Sequence, residues 1–284
     1  MDEKYERIAE AHKQTFHWIY KRPGLKFMDW LRSGSGVFWI NGKAGSGKST
    51  LMKYLFENRK TRENLPLDAE IVMFGFFFHD QGGNRYLKSQ DGLFRAILHS
   101  ILSKYRQLIP LVLPRRWTTA QDRFSNSAGY AIPSDWPEWS MSELKIAFRG
   151  IIDQKVLSLR LCLLIDGLDE FSGEPKNIVA VLKELLPHSS NSVVKVQLCL
   201  SSRPLIVFEN AYSQYCQLRV QDLTSGDISA YIIDEFDKDP ELKQLVAEDS
   251  KTSAHMMEEI LEKAEGVSDD FTPAVQLCLE FSCF

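Results

Sequence analysis

Apolar residues in this chain come in unbroken runs. Val37, Phe38, Trp39 and Ile40 stand in a row with no polar residue among them. Similar runs recur at 71–78, 161–165 and 193–200, the last interrupted by Lys195 and Gln197, with a weaker one at 216–220. A strand with one wet face alternates apolar and polar residues, whereas a strand covered on both faces reads as a continuous apolar run. Five strands of a parallel sheet are therefore predicted. Between them lie 49–59, 89–107, 142–157 and 175–186, which read as helices. This alternation predicts an α/β domain with helices on both faces of the sheet.

The flanks follow other patterns. Residues 2–20 read as one helix with Ile8, Phe16 and Ile19 along a stripe, broken by Pro23-Gly24. A short helix is expected at 25–32. The stretch 110–141 carries Pro110, Pro114, Pro133 and Pro137 and reads as a loop, while Trp117, Trp136 and Trp139 suggest that it packs back onto the domain. From 226 onward the pattern turns helical. The expected organisation is an N-terminal helical segment at 1–32, a core at 33–225 and a helical extension at 226–284.

Composition narrows the class. A net charge of −4 and a charged fraction of 25% suit a packed globular chain, and no basic footprint of nucleic-acid binding is evident. The five cysteines are odd in number and not closely paired, which argues against a disulfide framework or a zinc site. Cys162 and Cys199 sit inside apolar runs and are expected to be small buried hydrophobes. The first residues are charged with no apolar signal core, and no stretch reaches the roughly 18 apolar residues that span a bilayer. A soluble cytoplasmic protein without membrane contact is expected.

The strongest chemical signal is Gly42-Lys43-Ala44-Gly45-Ser46-Gly47-Lys48-Ser49-Thr50, which fits G-x-x-x-x-G-K-[ST]. Glycines let the backbone bend so that its N–H groups point inward at phosphate oxygens. The helix that follows adds the partial positive charge of its N-terminus. Lys48 is expected to reach the β- and γ-phosphates of a nucleoside triphosphate, and the Ser49 hydroxyl to hold Mg2+. Gly42, Gly45, Ser46, Gly47, Lys48, Ser49 and Thr50 form the expected binding set. The motif follows a buried strand and opens a helix carrying Leu51, Leu55 and Phe56, the arrangement it requires.

Such a loop needs an acid to position the metal. The run 161–165 is wholly apolar until Asp166, and a carboxylate at the tip of a buried strand is costly unless a cation or hydrogen bonds satisfy it. Asp166 is the expected Mg2+ partner. Asp169 and Glu170 follow, and one of them is a candidate to polarise an attacking water. Another apolar run ends in Ser201-Ser202-Arg203-Pro204. Arg203 is a candidate to sense γ-phosphate charge, with a structural salt bridge as the equal alternative.

These signals in this order resemble a NACHT-type NTPase module of the STAND class, and more narrowly the fungal proteins with a nephrocystin-like N-terminal NTPase module. The resemblance runs from 38–55 through Phe76-Phe77-Phe78, Lys88-Ser89, Gly92-Leu93-Phe94-Arg95, 165–171 and 201–204 to 218–228, and covers roughly residues 15–266. It implies the three-layer P-loop NTPase fold, with a five-stranded parallel sheet and helical extensions at both ends. In that fold the strand ending at Ser201–Arg203 lies between the phosphate-loop strand and the Asp166 strand, which would bring Arg203 near the γ-phosphate. It also implies Mg2+ with ATP or GTP, slow hydrolysis as a signalling switch, and a second copy or a signalling protein as partner.

Two departures stand out. His79-Asp80 follow Phe78 where the family often carries an aromatic residue and Asn, and a lone histidine is given no role here. After Val267 the family pattern stops at Ser268, which suggests a truncated form. Three functions remain open: an NTPase switch, a nucleotide-binding module that hydrolyses little, and a phosphotransferase on the same core. The motif does not choose between adenine and guanine, although Phe16 and Trp18 are candidates to contact the base.

Overall fold

A computed structural model of the chain describes residues 5–6, 8, 16–80, 83–126, 137–187 and 192–220. The helical expectation for 226–284, Trp136, Pro133, and Cys278 and Cys283 lie outside the described residues.

In chain order the helices and strands are α1 (Phe27–Ser33), β1 (Gly36–Asn41), α2 (Lys48–Glu57), α3 (Arg59–Glu63) and β2 (Glu70–Phe77). There follow α4 (Gln90–Lys104), α5 (Ile109–Val112), α6 (Pro114–Asn126), α7 (Met141–Asp153) and β3 (Leu159–Asp166). The last are α8 (Pro175–Glu184), β4 (Val194–Ser202), α9 (Ile206–Tyr212) and β5 (Cys216–Arg219). The five strands form one sheet in the order β2-β3-β4-β1-β5. All four pairings are parallel. All five predicted strands are present, and β4 lies between β1 and β3 as the family resemblance implies. Helices flank both faces, giving the three-layer P-loop NTPase fold.

Why the strands read as continuous runs is clear at β3, where every position is buried. Its side chains alternate between two cores. Leu161, Leu163 and Ile165 join one with Ile97, Ile101, Phe148 and Leu182 from α4, α7 and α8. Cys162 and Leu164 join the other with Leu51, Met52 and Leu55 from α2 and Trp30 and Leu31 from α1. Each fully buried Leu, Ile or Phe contributes roughly 1.5–3 kcal/mol of apolar transfer, so the two faces hold the sheet from both sides. As expected, Cys162 and Cys199 are free and buried.

Helix starts are marked by polar caps. The Ser89 hydroxyl accepts the Gly92 N–H at 3.2 Å to open α4. Ser140 and Glu143 form a reciprocal capping box that opens α7, the arrangement that satisfies two orphan N–H groups at once.

Two expectations are corrected. The stretch 110–141 is not all loop, since it contains α5 and α6. Pro110 and Pro114 lie in the first turns of these helices, where a missing N–H is harmless and a fixed φ favours the helix. Trp139 does pack against the core, and the Arg116 guanidinium of α6 lies 3.7 Å over its ring. The helix expected over 2–20 also fails to run through its end. Phe16 has φ 64 and the next four residues form a 3-10 turn, His17–Tyr20. Burying Phe16 against Tyr54 and Trp18 outweighs its place on a helical stripe. Tyr5 and Glu6 are helical, and 9–15 lie outside the described residues.

At the end of the sheet away from the glycine-rich loop, Arg160 is buried, with 4% exposure. Its guanidinium donates to the Gly34 carbonyl at 2.7 Å and to Asp68 Oδ1 at 2.6 Å. Position 34 has φ +71, and a Cβ there would lie 1.5 Å from the Arg160 Nη1. Only glycine admits both the backbone angle and the approach of the guanidinium.

Candidate functional site at the phosphate-loop end of the sheet

The C-terminal ends of β1, β3 and β4 lie side by side, which places the residues that follow them at one edge of the sheet. A crevice outside the carboxyl ends of parallel strands is where open α/β folds bind ligands. β1 ends at Asn41 and leads into the glycine-rich loop. Gly45 and Gly47 adopt φ 69 and 79, the left-handed region in which glycine bends without penalty. α2 begins at Lys48 with no side-chain cap on its N-terminal N–H groups. These groups and the helix dipole face the loop.

Lys48 is 9% exposed. Its ammonium donates to the carbonyls of Gly42 at 3.0 Å and Lys43 at 2.6 Å, and stands 3.5 Å from the Ser46 hydroxyl. The charge is thus held inside the curve of its own loop. Thr50 follows in the first turn of α2, half-buried.

Asp166 ends β3 and is fully buried. Its Oδ2 accepts the Ser49 hydroxyl at 2.7 Å. Its Oδ1 accepts the Ser201 hydroxyl, whose oxygen in turn accepts the Gly167 N–H at 3.3 Å. The structure therefore brings Ser49 and Asp166 together across the intervening strand β4. Ser201 is the residue that the sequence reading passed over. The only signal for it is that the 193–200 run ends in hydroxyls, and its meaning depends on β4 lying beside β3.

The later acids take different positions. The Asp169 side chain is 10% exposed, and its Oδ2 pairs with the Arg203 Nε at 2.9 Å. Its Oδ1 accepts the Arg203 backbone N–H at 3.0 Å. Arg203 thus makes the structural salt bridge, while its side chain stays 55% exposed at the same edge. Glu170 lies instead toward His79, whose Nδ1 is 3.8 Å from the Glu170 Oε2. Among the neighbouring thiols, burial pushes Cys162 up to about 12, and Cys199 is raised well above its ordinary value by burial, with Cys162 and Asp166 adding to the effect.

Phe16 and Trp18 also differ in placement. The Phe16 ring is buried, its tip 3.8 Å from where a Cβ on Gly47 would lie. Trp18 is half-buried and in edge contact with Phe16. Among the described residues, no helix is long and apolar enough to cross a membrane.

No curated protein matches this chain in sequence. Among solved structures it is similar to Cdc6p from Pyrobaculum aerophilum, at 15% identity and a TM-score of 0.46, with 82% of this chain and 53% of that chain covered. The chain therefore spans about half the length of that protein. In sequence, residues 14–203 match the family described as nephrocystin 3, N-terminal. The match takes in the glycine-rich loop, Asp166, Asp169, Glu170 and Arg203, and more than half of the chain, which belongs to the nephrocystin 3 N-terminal family.

Proposed function

We propose that this chain binds a nucleoside triphosphate with Mg2+ and hydrolyses it slowly, as the switch of a NACHT-type signalling module. The observation that carries the reading is the 2.7 Å pairing of the Ser49 hydroxyl with the buried Asp166 carboxylate. A hydroxyl at the end of a phosphate loop and an acid at the tip of a buried strand are the pair that holds Mg2+ in P-loop NTPases. The donor set fits a hard cation, being all oxygen, and when bound the ion neutralises phosphate charge.

The other residues take roles around that pair. The backbone N–H groups from Gly42 through Thr50, Gly45, Ser46 and Gly47 among them, cradle the phosphates. The Lys48 ammonium turns from its loop carbonyls to the β- and γ-phosphate oxygens. Ser201 holds Asp166 in orientation through its second oxygen. Glu170 is the acid that polarises water, because Asp169 is occupied on both oxygens by Arg203. Arg203, anchored but half-exposed, senses the γ-phosphate. The core of this module is 33–225, with 1–32 and 226–284 as extensions. Its setting is the cytoplasm, and its output is assembly with a second copy or a signalling protein.

A second reading has one observation in its favour. With Asp169 committed to Arg203, the acids left to activate water reduce to Glu170, which suits binding with little turnover. One experiment separates the readings. ATP and GTP binding is measured with Mg2+, and phosphate release is then followed with and without added acceptors. Release above a Lys48→Ala control supports the switch. Binding without release supports the interaction module, and release only with an acceptor supports a phosphotransferase. No binding of either nucleotide overturns all three.

A further inference from the structure

A second cluster of ligating groups stands beside the phosphate site and shares only Glu170 with the function proposed above. His79, Asp80 and Glu170 each present one donor atom, and the three atoms lie within 4.8 Å of one another. We propose that they form a divalent-cation site of their own, selective for a first-row transition ion such as Zn2+ over Mg2+.

The first argument is electrostatic. Two carboxylates and an imidazole converge where β2 and β3 end, and two carboxylates this close repel each other unless a positive charge is shared. The second concerns His79. Its Nδ1 stands 3.8 Å from the Glu170 Oε2, beyond hydrogen-bond length, and its Nε2 is buried with no hydrogen-bond partner. A buried ring nitrogen without a partner is costly, and a metal held by the imidazole offsets that cost. Nitrogen and oxygen ligands sit about 2.0–2.2 Å from such an ion, hence about 3–3.5 Å from each other. The His79–Glu170 separation is within about half an ångström of that spacing.

The third argument is that the two loops bearing these groups are already joined. The His79 N–H donates to the Leu87 carbonyl at 2.9 Å. The Ser172 N–H and hydroxyl both donate to the Lys88 carbonyl, at 2.9 and 2.8 Å. His79 is thereby tied to Leu87, and Lys88 to Ser172, which links the segments that follow β2 and β3 beside the cluster. The imidazole sets the selectivity, since nitrogen favours borderline transition ions while Mg2+ prefers oxygen and water. Asp80 is exposed and Glu170 half-buried, which leaves room for water to complete the coordination.

The site is tested with Zn2+ alone, by calorimetry on the full chain without nucleotide and in excess Mg2+. One Zn2+ per chain is expected. His79→Ala should weaken it by about 10-fold or more, the size of loss seen when even an outer partner of a metal site is removed. Asp80→Asn, at an exposed position, should weaken it as well and guards against a misfolded His79 variant. Asp166→Asn should leave it unchanged, which separates this site from the proposed Mg2+ position. Absence of Zn2+ binding, wild-type affinity in both His79→Ala and Asp80→Asn, or loss confined to Asp166→Asn would overturn the proposal.

Discussion

One strand carries two buried charges, and their surroundings differ. At the start of β3, Arg160 is met by a main-chain carbonyl and a carboxylate. At its end, Asp166 is met by two hydroxyls. A carbonyl cannot turn away from a guanidinium without moving the backbone. A hydroxyl can rotate about one bond and offer its oxygen to a cation instead. The Arg160 end is therefore built as a fixed clasp, while the Asp166 end is built from exchangeable partners. Burial of charge alone does not mark a functional site; the kind of partner does.

The sharpest way to break this contrast is at the phosphate loop. Lys48→Ala should lower triphosphate affinity by about 100-fold or more, since charge-assisted hydrogen bonds to phosphate are the strong ones, and titration with a fluorescent nucleotide analogue measures it. Unchanged affinity would sink the assignment of Lys48.

At the other end the loss should be in stability. Arg160→Leu leaves the Gly34 carbonyl without its donor, and the Asp68 side chain, 67% exposed, can be rehydrated. The expected cost is about 2 kcal/mol, below the roughly 3–5 kcal/mol of a fully buried broken pair. Urea unfolding reads it, and nucleotide affinity should not change. A variant that binds poorly but unfolds normally would reverse the roles of the two ends.

A smaller effect sharpens the order of the acids. Asp166→Ala should weaken the Mg2+ dependence of binding by about 10-fold, the scale of one hydrogen bond or ligand to a charged group. Asp169→Ala should weaken it less, because Asp169 acts on Arg203. Equal losses in a Mg2+ titration would show the acids to be misordered.

The smallest effect is in pH. The Arg160 hydrogen bond to Asp68 holds its carboxyl below the usual carboxylate range, with the guanidinium charge adding to this. A depressed folded-state pKa contributes stability above the unfolded value, near 3.9, which is lost as pH falls through the folded one. Acid unfolding of wild type should therefore steepen in that window. Asp68→Asn should be less stable above it and show a shallower fall within it.

Much of this arrangement was legible in the residues. Runs covered on both faces identified all five strands, and the glycine spacing located the phosphate loop, because both are local patterns. Asp166 stood out as the one charge closing an apolar run. What stayed hidden was non-local. Ser201 has meaning only once β4 is known to lie beside β3, and Arg160 looks like an ordinary flank until Gly34 and Asp68 are brought to it. Prolines at 110 and 114 misled for another reason: the same ring that breaks a helix interior also starts one. Phe16 was read from its stripe, but the space beside Gly47 and Tyr54 decided its conformation.

The strand order has a consequence for synthesis. β1 takes both of its neighbours, β4 and β5, from far later in the chain. As the polypeptide leaves the ribosome, the strand that carries the phosphate loop has both edges unpaired until residues 194–219 have emerged, a wait on the order of ten seconds at usual rates of translation. β2 and β3 can pair with each other earlier. The most nucleotide-relevant strand is thus the last to be enclosed, and a nascent chain halted before Val194 would display its bare edges to chaperones and to other nascent copies.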